Sequence, residues 1–339
     1  MIRFFRNYHQ WSNKTFIAVL LIAVAISMAL TLLAEGLKGF PLTSSSTTVV
    51  SQTADFKEKT TATEQETSAR IMANGDLLYH DIIYISAKKS DGTYDFHENF
   101  EYVKPWLKQA DLVIGDFEGT VNKDHYLAGY PLFNAPGEVM DAIKDAGYQV
   151  LDLAHNHILD SQIEGVVSTA DAIEKAGMTP IGVYTHEPRD KAPIVIKEVN
   201  GIKVALLAYS YGFNGIEQSI SQEDYNRYLS DLDEDKMKAE IERAEKEADI
   251  TIIMPQMGVE YQIEPTEEQK KLYHKMIDWG ADIIFGGHPH VVEPAETVEK
   301  TVIKSLSSTL WGILSQINEL KPCRMLKMLS GRNVESSWM

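Results

Sequence analysis

The sequence predicts an α/β fold: a layered, mixed β-sheet sandwich flanked by helices and preceded by one N-terminal transmembrane helix. Three observations predict it. From Arg70 onward, short and nearly continuous apolar runs alternate with amphipathic helical patterns. Two β-rich runs flank Asn200-Gly201, a hairpin signal that requires some antiparallel pairing. Phe16 to Ala34 is nineteen residues without a charge, about the length that crosses a bilayer's hydrocarbon core.

Taken in order, Arg3, Arg6 and Lys14 precede the apolar stretch. By the positive-inside rule they leave residues 1–15 in the cytoplasm and direct the C-terminal domain outside the cell membrane, as a single-pass protein. The stretch from 16 to 34 exceeds the apolar core of a cleaved signal peptide, which is the competing reading. Residues 35–69 form a linker rich in Ser, Thr and charge and poor in large apolar residues, a solvated stalk. "RIMANGD" and "ADLVIGDFEG" read as strands, "GEVMDAIKDAG" as a helix closed by Gly147, and "YQVLDLAHNH" as a third strand. "SQIEGVVSTADAIEKAG" is a helix with Gly177 at its C-terminal cap. After the hairpin come a charged helix, "DEDKMKAEIERAEKEA", a strand, "DITIIMPQMG", a helix, "TEEQKKLYHKMIDWG", and a strand, "ADIIFGGHPH".

Composition narrows the class. A chain of 339 residues, 44% apolar, buries one large domain, or one with a small companion. The net charge is −17 and no stretch resembles a basic phosphate-binding stripe, which argues against nucleic acid as a partner. Cys323 is the single cysteine, so an intrachain disulfide and a thiolate zinc site are both excluded.

The polar residues fall where chemistry would need them. The first strand ends at Asp76, with His80 nearby; the second at Asp116 and Glu118; the third at His155, Asn156 and His157. The fourth ends at Gln256, with Glu260 beyond, and the fifth at His288 and His290. Singly, each has a plain reading: a Gly-Asp turn, solvated loop acids, a helix cap. Together they point to one rim, because ligand sites in open α/β sheets lie outside the carboxyl ends of strands. Oxygen and imidazole donors without thiolate suit Mn, Fe, Zn or Mg. Two such divalent ions a few ångströms apart can clamp a phosphate and acidify a water between them.

The segments "NGDLL", "ADLVIGDFEGTV", "LAHNHILD", "GVEY" and "GGHPHVVEP" together resemble the CapA/PgsA family of capsule and poly-γ-glutamate synthesis proteins, in the calcineurin-like metallophosphoesterase superfamily. The likeness runs from about Arg70 to Pro294. It implies that Asp76, Glu118, Asn156, His288 and His290 hold the metal ions, that His157 stabilises charge on a substrate phosphate, and that Asp116, Gln256 and Glu260 are additional candidates. It also implies a membrane-anchored protein of capsule or poly-γ-glutamate biosynthesis, a metal-dependent phosphoester hydrolase beside the polymer and its membrane synthesis machinery. The sequence departs from the family at "PQMGVEY", where Gln256 and Met257 stand in place of a histidine. That departure keeps two rivals in view: a non-catalytic module for binding or exporting an anionic polymer, and a truncated inactive copy. A generic surface lipid or nucleotide phosphatase ranks below them.

The domain is expected over residues 70–300, with an aberrant tail at 301–339. The family continues there with a strand ending in Tyr-Ser-Leu-Gly-Asn-Phe, which this chain lacks. Synonymous codons for Lys300 to Glu319 exist in which one guanine restored after Lys300 yields KDGHKKFIIYSLGNFISNQR. The tail therefore reads as the product of a one-base loss, with the sheet then expected to lack its last strands; a genuine divergent tail, carrying an amphipathic helix around Leu310 to Leu329, is the competing reading.

Overall fold

The structure is a computed structural model that describes residues 67–299 and 304–308. The expected cytoplasmic segment, membrane span, most of the linker and most of the tail lie outside the described residues. No helix among the described residues is long and apolar enough to cross a membrane.

Four parallel strands form the first sheet in the order β1 (Ile71–Asp76), β2 (Leu112–Asp116), β3 (Val150–Asp152) and β4 (Thr179–Ile181). The second sheet has six strands: β5 (Val195–Val199), β6 (Ile202–Ser210), β7 (Ile250–Gln256), β8 (Ile283–Phe285), β9 (Ala295–Glu299) and β10 (Lys304–Ser308). Its order is β5-β6-β7-β8-β10-β9, parallel from β6 through β10 and antiparallel at both edges. The hairpin signal holds. Asn200 (φ 52°) and Gly201 (φ 82°) make the left-handed turn that joins β5 to β6.

Side-chain alternation builds the layers. In β1, Ile71 and Ala73 face the second sheet while Met72 faces outward to helices; in β7, Ile250, Ile252 and Met254 face inward while Ile253 faces out. The inward rows of both sheets merge into one apolar layer. Helices α1 (Asp81–Ser86), α2 (Lys104–Leu107), α3 (Val139–Ala146), α4 (Gln162–Lys175) and α5 (Gln222–Tyr228) precede α6 (Glu234–Glu247) and α7 (Glu267–Trp279). Val139 and Ile143 of α3 and Val166 and Ile173 of α4 cover the outer face of the first sheet. Met237 and Ile241 of α6 and Leu272 and Met276 of α7 cover the second. Truncating such a buried aliphatic costs about 2–5 kcal/mol, so this double layer fixes the strand ends firmly.

The helix ends follow the sequence. Asp233 caps α6 by accepting from the backbone N–H groups of Asp235 and Lys236. Thr266 and Gln269 form a reciprocal capping box at α7. Gly147 closes α3 at φ 122°, as expected. Strand β10 lies beyond residue 300, between β8 and β9.

Candidate metal centre

Both sheets direct the carboxyl ends of their parallel strands to one rim, as two contacts across the sandwich show. His290, beyond β8, bonds Asp76 at the end of β1, with Nδ1 to Oδ2 at 2.5 Å. Gln256, at the end of β7, bonds Asn156 beyond β3.

Local sequence makes the rim. Gly115 precedes Asp116 because a Cβ there would lie 2.8 Å from the Tyr148 ring. Gly286 opens the histidine turn because a Cβ would meet the Tyr273 hydroxyl at 2.5 Å. His288 and His290 then take left-handed φ values of 92° and 55°. Such backbone costs about 1–3 kcal/mol per residue and concentrates at functional turns.

At the centre, ligand atoms of Asp76, Glu118 and His290 all lie within 4.8 Å of one another. Asp76 Oδ1, Glu118 Oε2 and Asp116 Oδ1 are buried, and no hydrogen-bond donor among the described residues reaches them. Burial pushes Asp76 up to about 7. Burial and then the facing Asp76 push Glu118 well above the carboxylate range. Asp116 is raised by burial and by its neighbour Asp152, which burial raises in turn. Without a cation these acids relieve one another only by sharing protons. Clustered carboxylates, an imidazole and orphaned acceptor oxygens are the donor set a divalent cation fits.

The remaining expected residues surround this triad. His157 Nε2 stands 4.0 Å from Glu118 Oε1, and its Nδ1 bonds Asp160 at 2.7 Å. Asp160 also accepts from the Phe133 N–H at 2.6 Å, so its carboxylate is fixed. His288 is buried and its Nδ1 has no hydrogen-bond partner. Burial, and then His290 at a ring separation of 6.0 Å, pull it down to about 4, so it is neutral at physiological pH and able to ligate. Asn156 is buried; its side chain donates to Asn214 Oδ1 at 3.1 Å and accepts from Gln256 Nε2 at 3.2 Å.

Three expected positions behave differently. Gln256 is buried with its amide committed: Oε1 accepts from the Asn156 N–H at 2.8 Å while Nε2 donates back. It positions Asn156. Glu260 is exposed and stands outside the triad, although its charge is felt at His288. His80 packs edge-on against Phe133 at 4.8 Å, and Phe133 contacts His157 at 4.7 Å, so His80 lies one ring away from the centre. His155 is fully buried, accepts the His157 N–H at 3.1 Å and is kept neutral by burial.

The sequence reading missed Asp152, Asp160, Asn214 and Tyr211. Asp160 stood in plain view within "LAHNHILD", three residues after His157. Asn214 and Tyr211 follow β6, a sixth strand end at the same rim, where Tyr211 lies over His288 at 4.6 Å.

The profile of the family described as bacterial capsule synthesis protein PGA_cap matches residues 70–304. The chain is 32% identical over 213 residues to the capsule biosynthesis protein CapA of Bacillus anthracis, covering 60% of this chain and 51% of that protein. It is 31% identical over 208 residues to the PGA biosynthesis protein CapA of Bacillus subtilis (strain 168), covering 60% and 54%. The chain thus spans about half the length of the curated relatives it matches. With a match running through both sheets and the whole rim, the chain belongs to the PGA_cap family of bacterial capsule synthesis proteins.

Proposed function

We propose that this chain is a membrane-anchored, outward-facing component of capsule or poly-γ-glutamate synthesis that holds divalent cations at Asp76, Glu118 and His290 and hydrolyses a phosphoester. The observation that carries this reading is the set of buried carboxylate oxygens that no donor among the described residues reaches. Asn156 and His288 flank the triad and are the candidates for a second ion. A bound divalent cation polarises a phosphoryl oxygen and makes water more acidic. The chain's own groups do the rest. Asp160 holds the His157 ring by Nδ1, leaving Nε2 toward Glu118 and the rim, where it donates to a phosphoryl oxygen. Gln256 holds Asn156 from behind. The polymer and its membrane synthesis machinery are the expected partners; the relatives' names, which speak of capsule and PGA biosynthesis, support the polymer.

A second reading keeps the fold and the ions but drops turnover: an accessory module for an anionic polymer. Gln256 favours it, because an amide stands where the resemblance places an imidazole, and that amide is already committed to Asn156. The test is metal analysis of the purified full chain with a panel of phosphomonoesters and phosphodiesters. Bound metal with turnover lost in His290→Ala supports hydrolysis. Bound metal without turnover favours the accessory role. A chain that takes up no divalent ion sinks the site itself.

We also attribute the tail to a shifted reading frame. The restored frame would place a Phe-Ile-Ile run at positions 306–308, inside β10. Resequencing the gene tests this: an unbroken frame in which no Tyr-Ser-Leu-Gly-Asn-Phe segment is hidden overturns it.

A further inference from the structure

Thirteen large apolar side chains are exposed among the described residues, and ten of them stand on segments leaving the carboxyl ends of strands, the ends at which the metal centre lies. Ile82 and Ile85 lie on α1 after β1; Tyr130 follows β2; Tyr211 follows β6; Tyr261 and Ile263 follow β7. Tyr261 is 72% exposed, its ring lies 5.9 Å from that of His290, and its N–H donates to the Pro289 carbonyl at 2.7 Å. Tyr130 meets Phe133, the ring that touches both His80 and His157. Scattered apolar residues need no explanation, but a collar of them around a buried polar site does.

We infer that this collar is a membrane-docking face, seating the rim of the metal centre in the headgroup region of a lipid bilayer. The inference rests on the anchoring proposed above. Exposed isoleucines suit hydrocarbon, and tyrosines suit the interface, where an apolar ring sits below a wet hydroxyl. A carbohydrate platform would need the rings but not the isoleucines. Reach is sufficient. The chain enters β1 at the end opposite the collar, so the link must pass the strand, about 20 Å for six residues. Residues 35–66 can span at most about 110 Å fully extended. An anchor so close keeps the bilayer at high effective concentration, so a modest apolar face suffices. Docking would bring the centre to the level at which a lipid-borne phosphoester presents its headgroup.

The test uses the full chain in phosphatidylcholine vesicles. With Cys323→Ser as background, an environment-sensitive fluorophore is attached at Ile263→Cys, at Ile85→Cys and, as control, at Asn200→Cys, on the hairpin at the opposite end of the sheet. Vesicle flotation reads the anchor; quenching by nitroxide lipids reads the collar. We expect flotation, with the two collar labels losing about half their fluorescence and the Asn200 label keeping nearly all of it, because an interfacial face sinks about 5–10 Å into the headgroup boundary. Flotation without quenching at the collar, or with equal quenching at Asn200, overturns the docking face while the anchor stands. Failure to float removes the anchor, and the inference with it. None of these outcomes depends on turnover.

Discussion

Two buried charge clusters in this domain solve the same problem differently. Around Arg189, which is 3% exposed, the protein supplies its own cation: the guanidinium bonds Glu240 at 2.9 Å and Asp231 at 2.5 Å, and also donates to the Leu229 and Asp231 carbonyls. Around Asp76, four acids (Asp76, Asp116, Glu118 and Asp152) gather at adjacent strand ends, with imidazoles but no Arg or Lys in the group. Burying ions is tolerable only when charge and hydrogen bonds are balanced. The first cluster is balanced within the fold and reads as structural. The second is short of positive charge and reads as a place for something the chain does not encode.

The sharpest way to break that contrast is Arg189→Met. It strands Glu240 and Asp231 together, and we expect about 3–5 kcal/mol of lost stability in denaturant unfolding, with metal uptake per folded molecule unchanged. A loss below 1 kcal/mol would mean that the cluster is not the structural counterpart described here.

The second expectation concerns the metal and pH together. A divalent cation at 100 times its Kd should add about 2.7 kcal/mol of stability, reversed by chelation. Without metal, the folded carboxyls titrate higher than unfolded ones: Asp76 near 7, against roughly 4 in the unfolded chain. The folded state then binds more protons between those values, so stability falls as pH rises from about 4 to about 7. Asp76→Asn should flatten that slope in thermal melts and abolish the cation's contribution. An unaltered slope in Asp76→Asn would show that Asp76 is not the group that titrates.

Next is Gln256→Ala, which leaves the buried Asn156 N–H without its acceptor. We expect about 1–3 kcal/mol of destabilisation by the same unfolding assay. Gln256→His removes the same lock while adding an imidazole, so tighter metal binding with reduced stability would separate positioning from ligation. The smallest effect is expected at Glu260→Ala. This residue is exposed and outside the triad, and should change stability by less than about 0.5 kcal/mol and metal content not at all.

Much of this architecture was legible in one dimension. The Asn200-Gly201 hairpin, the strands ending at Asp76, Asp116, Gln256 and near His288, and the capped helices each follow from local pattern, and local pattern suffices when a single period or turn conformation decides the outcome. Other strands carry too little local signal: β4 is three residues long, too few to show a period, and β9, at the sheet edge, and its neighbour β10 carry mostly polar residues. At the site, Asp76 and His290 were legible as metal-capable residues at strand ends. Asp160 was not, because a carboxylate three residues from a histidine gains meaning only when the turn folds its oxygen onto Nδ1.

By itself, the sequence determined which residue types stand at each strand end and which face of each strand is apolar, since alternation along a strand is a local property. Only the tertiary structure decided that Asp76 and His290, more than two hundred residues apart, would touch, and that Gln256 would be spent on Asn156 while Glu260 faced water. The physical reason is that burial and charge balance belong to the assembled space between two sheets. A carboxylate is costly or harmless according to what the other sheet brings to it, and no stretch of chain carries that information alone.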